Sequence, residues 1–142
     1  MLKVTKIFRF ELAHAIHGYN GLCKNIHGHS YILHVTVGAH SKSDEYLPST
    51  GFIIDFKDLK KIIRDAVVTP FDHGLILSEE YLNHHPEMRS MENLHVWKME
   101  PSVENILLYI KHQIASKFPD GVLLMKLKLY ETSDSYAEFE CF

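Results

Sequence analysis

At 142 residues the chain has the length of one domain, with no room for a second core, so a single domain over residues 1–142 is expected. Hydrophobic residues at 46% and charged residues at 23% exclude the composition of a disordered chain, and 15 Lys+Arg against 18 Asp+Glu, a formal charge of −3, exclude the basic surplus of a nucleic-acid binder. No apolar run approaches the roughly 18 residues of a membrane span, and Lys3 and Lys6 stand where a signal peptide is apolar, so a soluble cytoplasmic protein without nucleic-acid or membrane partners is expected.

The first predicted element is a strand from Lys3 to His14, where Val4, Phe8, Phe10 and Leu12 share one parity and Arg9 and Glu11 the other. A second strand runs from about His27 to Ala39, with Tyr31, Leu33, Val35 and Val37 alternating against Ser30, His34 and Thr36. The Gly-rich segment His17-Gly18-Tyr19-Asn20-Gly21 and the following Cys23 form the loop between them. A turn-rich stretch from Ser41 to Gly51 leads to Asp55, a helix cap, and Phe56, Leu59, Ile62, Ile63, Ala66 and Val67 then recur at helical spacing until Pro70 ends the helix.

The segment from Gly74 to Glu100 reads as a long connection, with His84, His85 and Trp97 as surface and packing residues because nothing in the pattern fixes their geometry. A second helix starts at Pro101-Ser102 and buries Val103, Ile106, Leu107, Ile110 and Ile114. Leu123, Met125, Leu127 and Leu129 then alternate with lysines, and Ala137, Phe139 and Cys141 alternate with glutamates across Ser133-Asp134-Ser135, which predicts a hairpin. Strand, strand, helix, helix, strand, strand is the order of an α+β fold, a four-stranded antiparallel sheet with two helices on one face.

Histidine is over-represented, with 11 copies against 7 glycines. His27 and His29 point to one face of the second strand, and His14 continues the apolar face of the first, so three imidazoles converge where the two strands meet. One such histidine reads as a core residue, whereas three on one face read as a metal site, and three neutral imidazoles with an open fourth position are the ligand set of a catalytic zinc ion. Cys23, four residues before His27, is either a fourth ligand of a closed structural site or a reactive thiolate beside the ion. Asp72-His73 places a carboxylate beside an imidazole, an acid-base pair or a surface pair. Glu131 ends the apolar parity of the third strand, and a carboxylate there requires a basic side chain or a ligand offering paired N–H donors. Two cysteines, Cys23 and Cys141, are too few for a disulfide framework.

Together, His14, the segment Cys23 to Tyr31, the segment Gly51 to Lys60, Asp72-His73, Pro101 to Asn105 and Glu131-Thr132 resemble the 6-pyruvoyltetrahydropterin synthase family, which includes the 6-carboxytetrahydropterin synthases of queuosine biosynthesis. The resemblance implies the tunnelling fold, in which the sheets of three subunits form a barrel and the homo-oligomer is a trimer or a hexamer with active sites between subunits. It implies Zn2+ held by His14, His27 and His29, Cys23 as the catalytic thiol, Asp72 and His73 as an acid-base pair, and Glu131 with Thr132 binding a pterin ring. Phe71 stands where family members usually carry leucine, and the segment from Gly74 to Glu100 matches only loosely. The three-residue spacer between Cys23 and His27 resembles the bacterial carboxy branch, which implies conversion of 7,8-dihydroneopterin triphosphate to 6-carboxy-5,6,7,8-tetrahydropterin, acetaldehyde and triphosphate. A 6-pyruvoyltetrahydropterin synthase or other dihydropterin-processing lyase stays open, as does a non-catalytic zinc-binding module.

Overall fold

The computed structural model describes residues 1–40 and 44–141. Positions 41–43 of the expected turn-rich stretch lie outside the described residues. Strand β1 (Lys3–His14) pairs antiparallel with β2 (His27–Ala39) over twelve residue pairs, from Lys3 opposite Gly38 to His14 opposite His27. Alternation explains the pairing: Phe8, Phe10, Leu12 and His14 of β1 and Tyr31, Leu33, Val35 and Val37 of β2 are all buried on one face. The opposite face is polar, with the Thr5 and Thr36 hydroxyls 2.7 Å apart and the Ser30 hydroxyl donating to Glu11 at 2.8 Å.

Helix α1 (Phe56–Ile63) is capped by Asp55, whose carboxylate accepts the Lys57 N–H at 2.8 Å. It does not stop at Pro70. A wide turn over Arg64–Val68, in which the Thr69 N–H reaches the Arg64 carbonyl, carries the chain into α2 (Thr69–Phe71). Proline has no N–H and crowds the carbonyl four residues back in a regular helix, and widening the preceding turn accommodates the ring. The helix therefore ends at Phe71, one residue beyond the predicted stop, with Asp72 as its C-cap.

The segment from Gly74 to Glu100 is not an irregular connection. It contains β3 (Gly74–Ser78), α3 (Glu79–His84), a 3-10 stretch over Pro86–Ser90 and β4 (Leu94–Trp97). β3 lies parallel to β1, and β4 parallel to β3. All five residues of β3 are buried, because Ile76 enters the main core while Leu75 and Leu77 face a second cluster with Ala15, Tyr81 and Leu82. A strand covered on both faces shows a continuous apolar run, not an alternation, and so gives no half-buried strand signal.

Helix α4 (Val103–Ile114) begins at Ser102, which accepts the Asn105 N–H at 3.2 Å, and leads to the hairpin of β5 (Val122–Thr132) and β6 (Ser135–Glu140). The result is a six-stranded sheet in the order β4-β3-β1-β2-β5-β6. The four expected antiparallel strands are contiguous within it, and the two parallel strands extend it beyond β1. The helices α1 and α4 cover one face through Leu59, Ile63, Ile106, Ile110 and Ile114, whereas α3 closes the other face over β3. Among the described residues no helix is long and apolar enough to cross a membrane.

The predicted parity of β5 holds only for its second half. Thr36 pairs with Lys126 but Val37 with Leu124, so Met125 is an extra residue, and Val122 and Leu124 rather than Leu123 and Met125 pack on the core beside fully buried Leu127 and Leu129. Helix α4 packs under this sheet, and Ile110 is fully buried there. Ile110→Ala should destabilise the fold by about 2–5 kcal/mol, read as a lowered denaturant midpoint.

Candidate active site

Strand register brings the three predicted histidines together. His14 and His27 are direct partners at the end of the β1–β2 ladder, and His29, opposite Leu12, is one same-face step further along β2. Their ring nitrogens form a set in which every ligand atom lies within 4.8 Å of the others. The His14 and His27 Nε2 atoms are 3.1 Å apart. The far side of each of these two rings faces a backbone acceptor: His14 Nδ1 lies 2.6 Å from the Pro101 carbonyl, and His27 Nδ1 lies 2.7 Å from the Asn25 carbonyl. An imidazole that donates through Nδ1 presents the lone pair of Nε2, the tautomer a metal requires.

Burial pushes the His14 pKa down to about 4, against a smaller upward pull from the Pro101 carbonyl, and neighbouring His27 and His29 lower it further. His29 is likewise lowered, chiefly by desolvation, with Glu131 opposing the shift. The His29 Nε2 atom is buried without a hydrogen-bond partner among the described residues and faces Glu131 Oε1 at 3.5 Å. Three imidazoles, two of them held by backbone acceptors and the third with an orphaned buried nitrogen, fit a divalent ion of the zinc type. No cysteine belongs to the clustered set, so the donors are three imidazoles without the thiolate of a closed site.

Cys23 lies in a 3-10 turn, Leu22–Lys24, within the β1–β2 loop, and its carbonyl accepts the Ile16 N–H at 2.8 Å. Its thiol is half-buried. Tyr31, one same-face step beyond His29, has a buried hydroxyl with no partner among the described residues, and its pKa is raised by burial first and then by the charges of Glu131 and Cys23. The Tyr31 ring packs edge-on against His14 and His29 at centroid distances of 6.3 and 5.6 Å. Its strand pattern identified it only as a core residue, because periodicity does not distinguish phenylalanine packing from a hydroxyl aimed at a site.

Glu131 is positioned by a second irregularity of β5. Tyr130 pairs with Tyr136 and Thr132 with Ser135, which leaves Glu131 as an extra residue that the ladder with β6 skips. The Thr132 hydroxyl donates to Asp134 Oδ1 at 2.9 Å and serves the hairpin turn.

Asp72 and His73 pair with each other at 3.2 Å between Oδ2 and Nδ1. Asp72 Oδ1 also accepts the Glu11 N–H at 2.9 Å, the leading cause of its lowered pKa, and His73 holds a left-handed backbone at φ 62°. The His73 side chain is 81% exposed, and among the described residues no hydrogen bond joins the pair to the three histidines. Within the chain the predicted site residues therefore fall into two groups. The sequence marks Pro101 to Asn105 as a helix start and a family-like segment, and the fold adds a supporting role: Pro101 orients His14, and Glu100 accepts the His17 N–H at 2.6 Å. A backbone carbonyl has no side-chain signature in a sequence.

The family described as 6-pyruvoyl tetrahydropterin synthase matches residues 3–141. A 6-carboxy-5,6,7,8-tetrahydropterin synthase of Rickettsia typhi is 30% identical over 142 residues, covering 97% of this chain and 99% of that relative. A dihydroneopterin monophosphate aldolase of Pyrococcus furiosus is 30% identical over 141 residues, covering 98% and 99%. Among solved structures, 6-pyruvoyl tetrahydropterin synthase of Caenorhabditis elegans superposes with a TM-score of 0.67 at 21% identity, covering 99% of this chain and 96% of that one, a likeness of fold.

The lowered His14 pKa makes the metal-free protein sensitive to acid. The unfolded chain takes up this proton near 6.5 and the folded chain near 4, so unfolding binds more protons in that window. Stability of the metal-free protein should be full above about 6.5 and fall as pH drops toward 4, a slope in denaturant midpoints that His14→Asn flattens.

Proposed function

The chain belongs to the 6-pyruvoyl tetrahydropterin synthase family and is an enzyme of its lyase type, and from that membership we propose that it converts 7,8-dihydroneopterin triphosphate to 6-carboxy-5,6,7,8-tetrahydropterin, acetaldehyde and triphosphate in queuosine biosynthesis. The observation that carries this reading is the three-imidazole cluster on one sheet face, with the orphaned Nε2 of His29 beside Glu131. The name of the Rickettsia relative, similar over nearly its whole length, supports the carboxy branch. The family description and the name of the Pyrococcus relative keep a second reading, a pyruvoyl synthase or other dihydropterin lyase using the same residues.

His14, His27 and His29 would hold Zn2+, which when bound supplies Lewis-acid polarisation of a substrate side-chain oxygen. Cys23, as thiolate, takes a proton from the side chain of the pterin. Asp72 holds His73 through Nδ1, which leaves the His73 Nε2 free to move a second proton. Glu131 accepts two parallel N–H donors from the 2-amino-4-oxo edge of the ring, the bidentate geometry a carboxylate favours. Thr132 follows it on the bulge, and with its hydroxyl turned to Asp134 it offers the ring its main chain. The exposed position of His73 suits an active site completed by a second subunit, in which Asp72 and His73 of one chain act on substrate held by the histidines of the next. A barrel of three sheets, as a trimer or a stacked hexamer, pairs the free sheet edges and brings the two groups together.

Product analysis tests the reaction. Incubation with 7,8-dihydroneopterin triphosphate should release triphosphate and a trappable aldehyde and leave 6-carboxytetrahydropterin by mass. A full-length pyruvoyl side chain without aldehyde would select the second reading. Cys23→Ala should retain bound zinc and lose turnover by about 100-fold or more, the scale of a missing proton-transfer group. Loss of zinc with the thiol would instead select a structural metal module.

A further inference from the structure

The active-site cluster leaves a second group of imidazoles unused. His17 lies in the β1–β2 loop, three residues after β1, while Glu80 and His84 stand four apart on α3 and project from one helix face. Chain segments more than 60 residues apart thus meet, and the ligand atoms of His17, Glu80 and His84 all lie within 4.8 Å of one another. The rings of His17 and His84 lie 4.6 Å apart between centroids at an interplanar angle of 31°. His84 was expected to be a surface residue without fixed geometry, and the fold supplies that geometry.

Two further contacts prepare this group for a ligand. His84 Nδ1 lies 2.9 Å from the Glu80 carbonyl oxygen, which makes Nδ1 the donor and leaves the Nε2 lone pair free when the ring is neutral. The His17 main chain is anchored from the other side, its N–H donating to Glu100 Oε1 at 2.6 Å. The Glu80 carboxylate enters no ion pair or hydrogen bond among the described residues, so it is available as a ligand. Two imidazoles and one carboxylate with an exposed outer side leave the remaining coordination positions to water. This donor set suits a borderline ion such as Zn2+ and not Mg2+ or Ca2+, which require mostly oxygen ligands.

We propose that His17, Glu80 and His84 form a second, solvent-facing site for a divalent transition metal of the zinc type, separate from His14, His27 and His29. An ion there ties the β1–β2 loop to α3. Because Ile16 donates to the Cys23 carbonyl across the base of that loop, the tie restrains the segment that carries Cys23. The site stands on its own residues and does not depend on the pterin reading.

The test compares stoichiometries. Purified protein, in its native oligomeric state, is titrated with Zn2+ against a chromophoric chelator, and bound metal is counted by mass spectrometry. Wild type should bind one equivalent per chain more than His84→Ala, and Glu80→Gln should weaken that equivalent by at least the roughly 10-fold that losing even an outer-shell partner of a ligand costs. Filling the site should slow amide hydrogen exchange across residues 18–24 in wild type but not in His84→Ala. Equal stoichiometry and affinity in wild type and His84→Ala would overturn the site. An added equivalent that leaves exchange in that loop unchanged would overturn the tie. Since the readout is a difference between two chains that share His14, His27 and His29, it is independent of how full that cluster is.

Discussion

The antiparallel register of β1 and β2 is the constraint on which the rest depends. Because side chains alternate with a period of two, a slip of one residue would turn Phe8, Phe10 and Leu12 out of the core and carry His14 away from His27 and His29. The burial that fixes this register is hydrophobic and lies mostly below the site, in fully buried Tyr31, Leu33 and Val35 packed over α1 and α4. The donor set therefore needs no stabilisation of its own to assemble. It rides on a core that already specifies the pairing.

Placing imidazoles at the end of a buried face also sets their chemistry. His14 is only 2% exposed and loses most of its hydration, which keeps it neutral. A buried neutral imidazole still needs a hydrogen-bond partner, and α4 supplies it: Ser102 caps the helix, the Asn105 amide donates to the Glu100 carbonyl at 2.9 Å, and the Pro101 carbonyl between them is held against His14 Nδ1. The same turn reaches His17 through Glu100. One helix start thus orients a residue of the first histidine cluster and steadies a residue of the second.

The four long strands, both capped helices and the three converging histidines were legible because each rests on a local rule of alternation, capping or spacing. What escaped has physical reasons of the opposite kind. β3 and β4 are parallel and depend on a crossover, with β3 buried on both faces, so no alternation marks that strand. The extra residue at Met125 inverts the parity of β5 midway, and no residue type announces such a bulge. Pro70 signalled a stop that a widened turn absorbs. The meeting of His17 with His84 joins a loop to a helix that the sequence pattern did not define, and is purely tertiary.

His73 raises a separate question of why a histidine stands where the backbone prefers glycine. At φ 62° an L-residue carries a steric cost of roughly 1–2 kcal/mol that glycine avoids. The surrounding contacts enforce that conformation: the His73 N–H donates to the Glu11 carbonyl at 2.7 Å, and the Asn93 amide donates to the His73 carbonyl at 2.8 Å. All of these are main-chain bonds that glycine would make equally well. The imidazole itself is 81% exposed and touches Asp72 across 3.2 Å, an exposed pair whose contribution to stability is about 0–1 kcal/mol. A side chain that returns no more stability than its backbone costs, and that is held at the surface by a carboxylate already anchored to the Glu11 N–H, is not accounted for by folding alone.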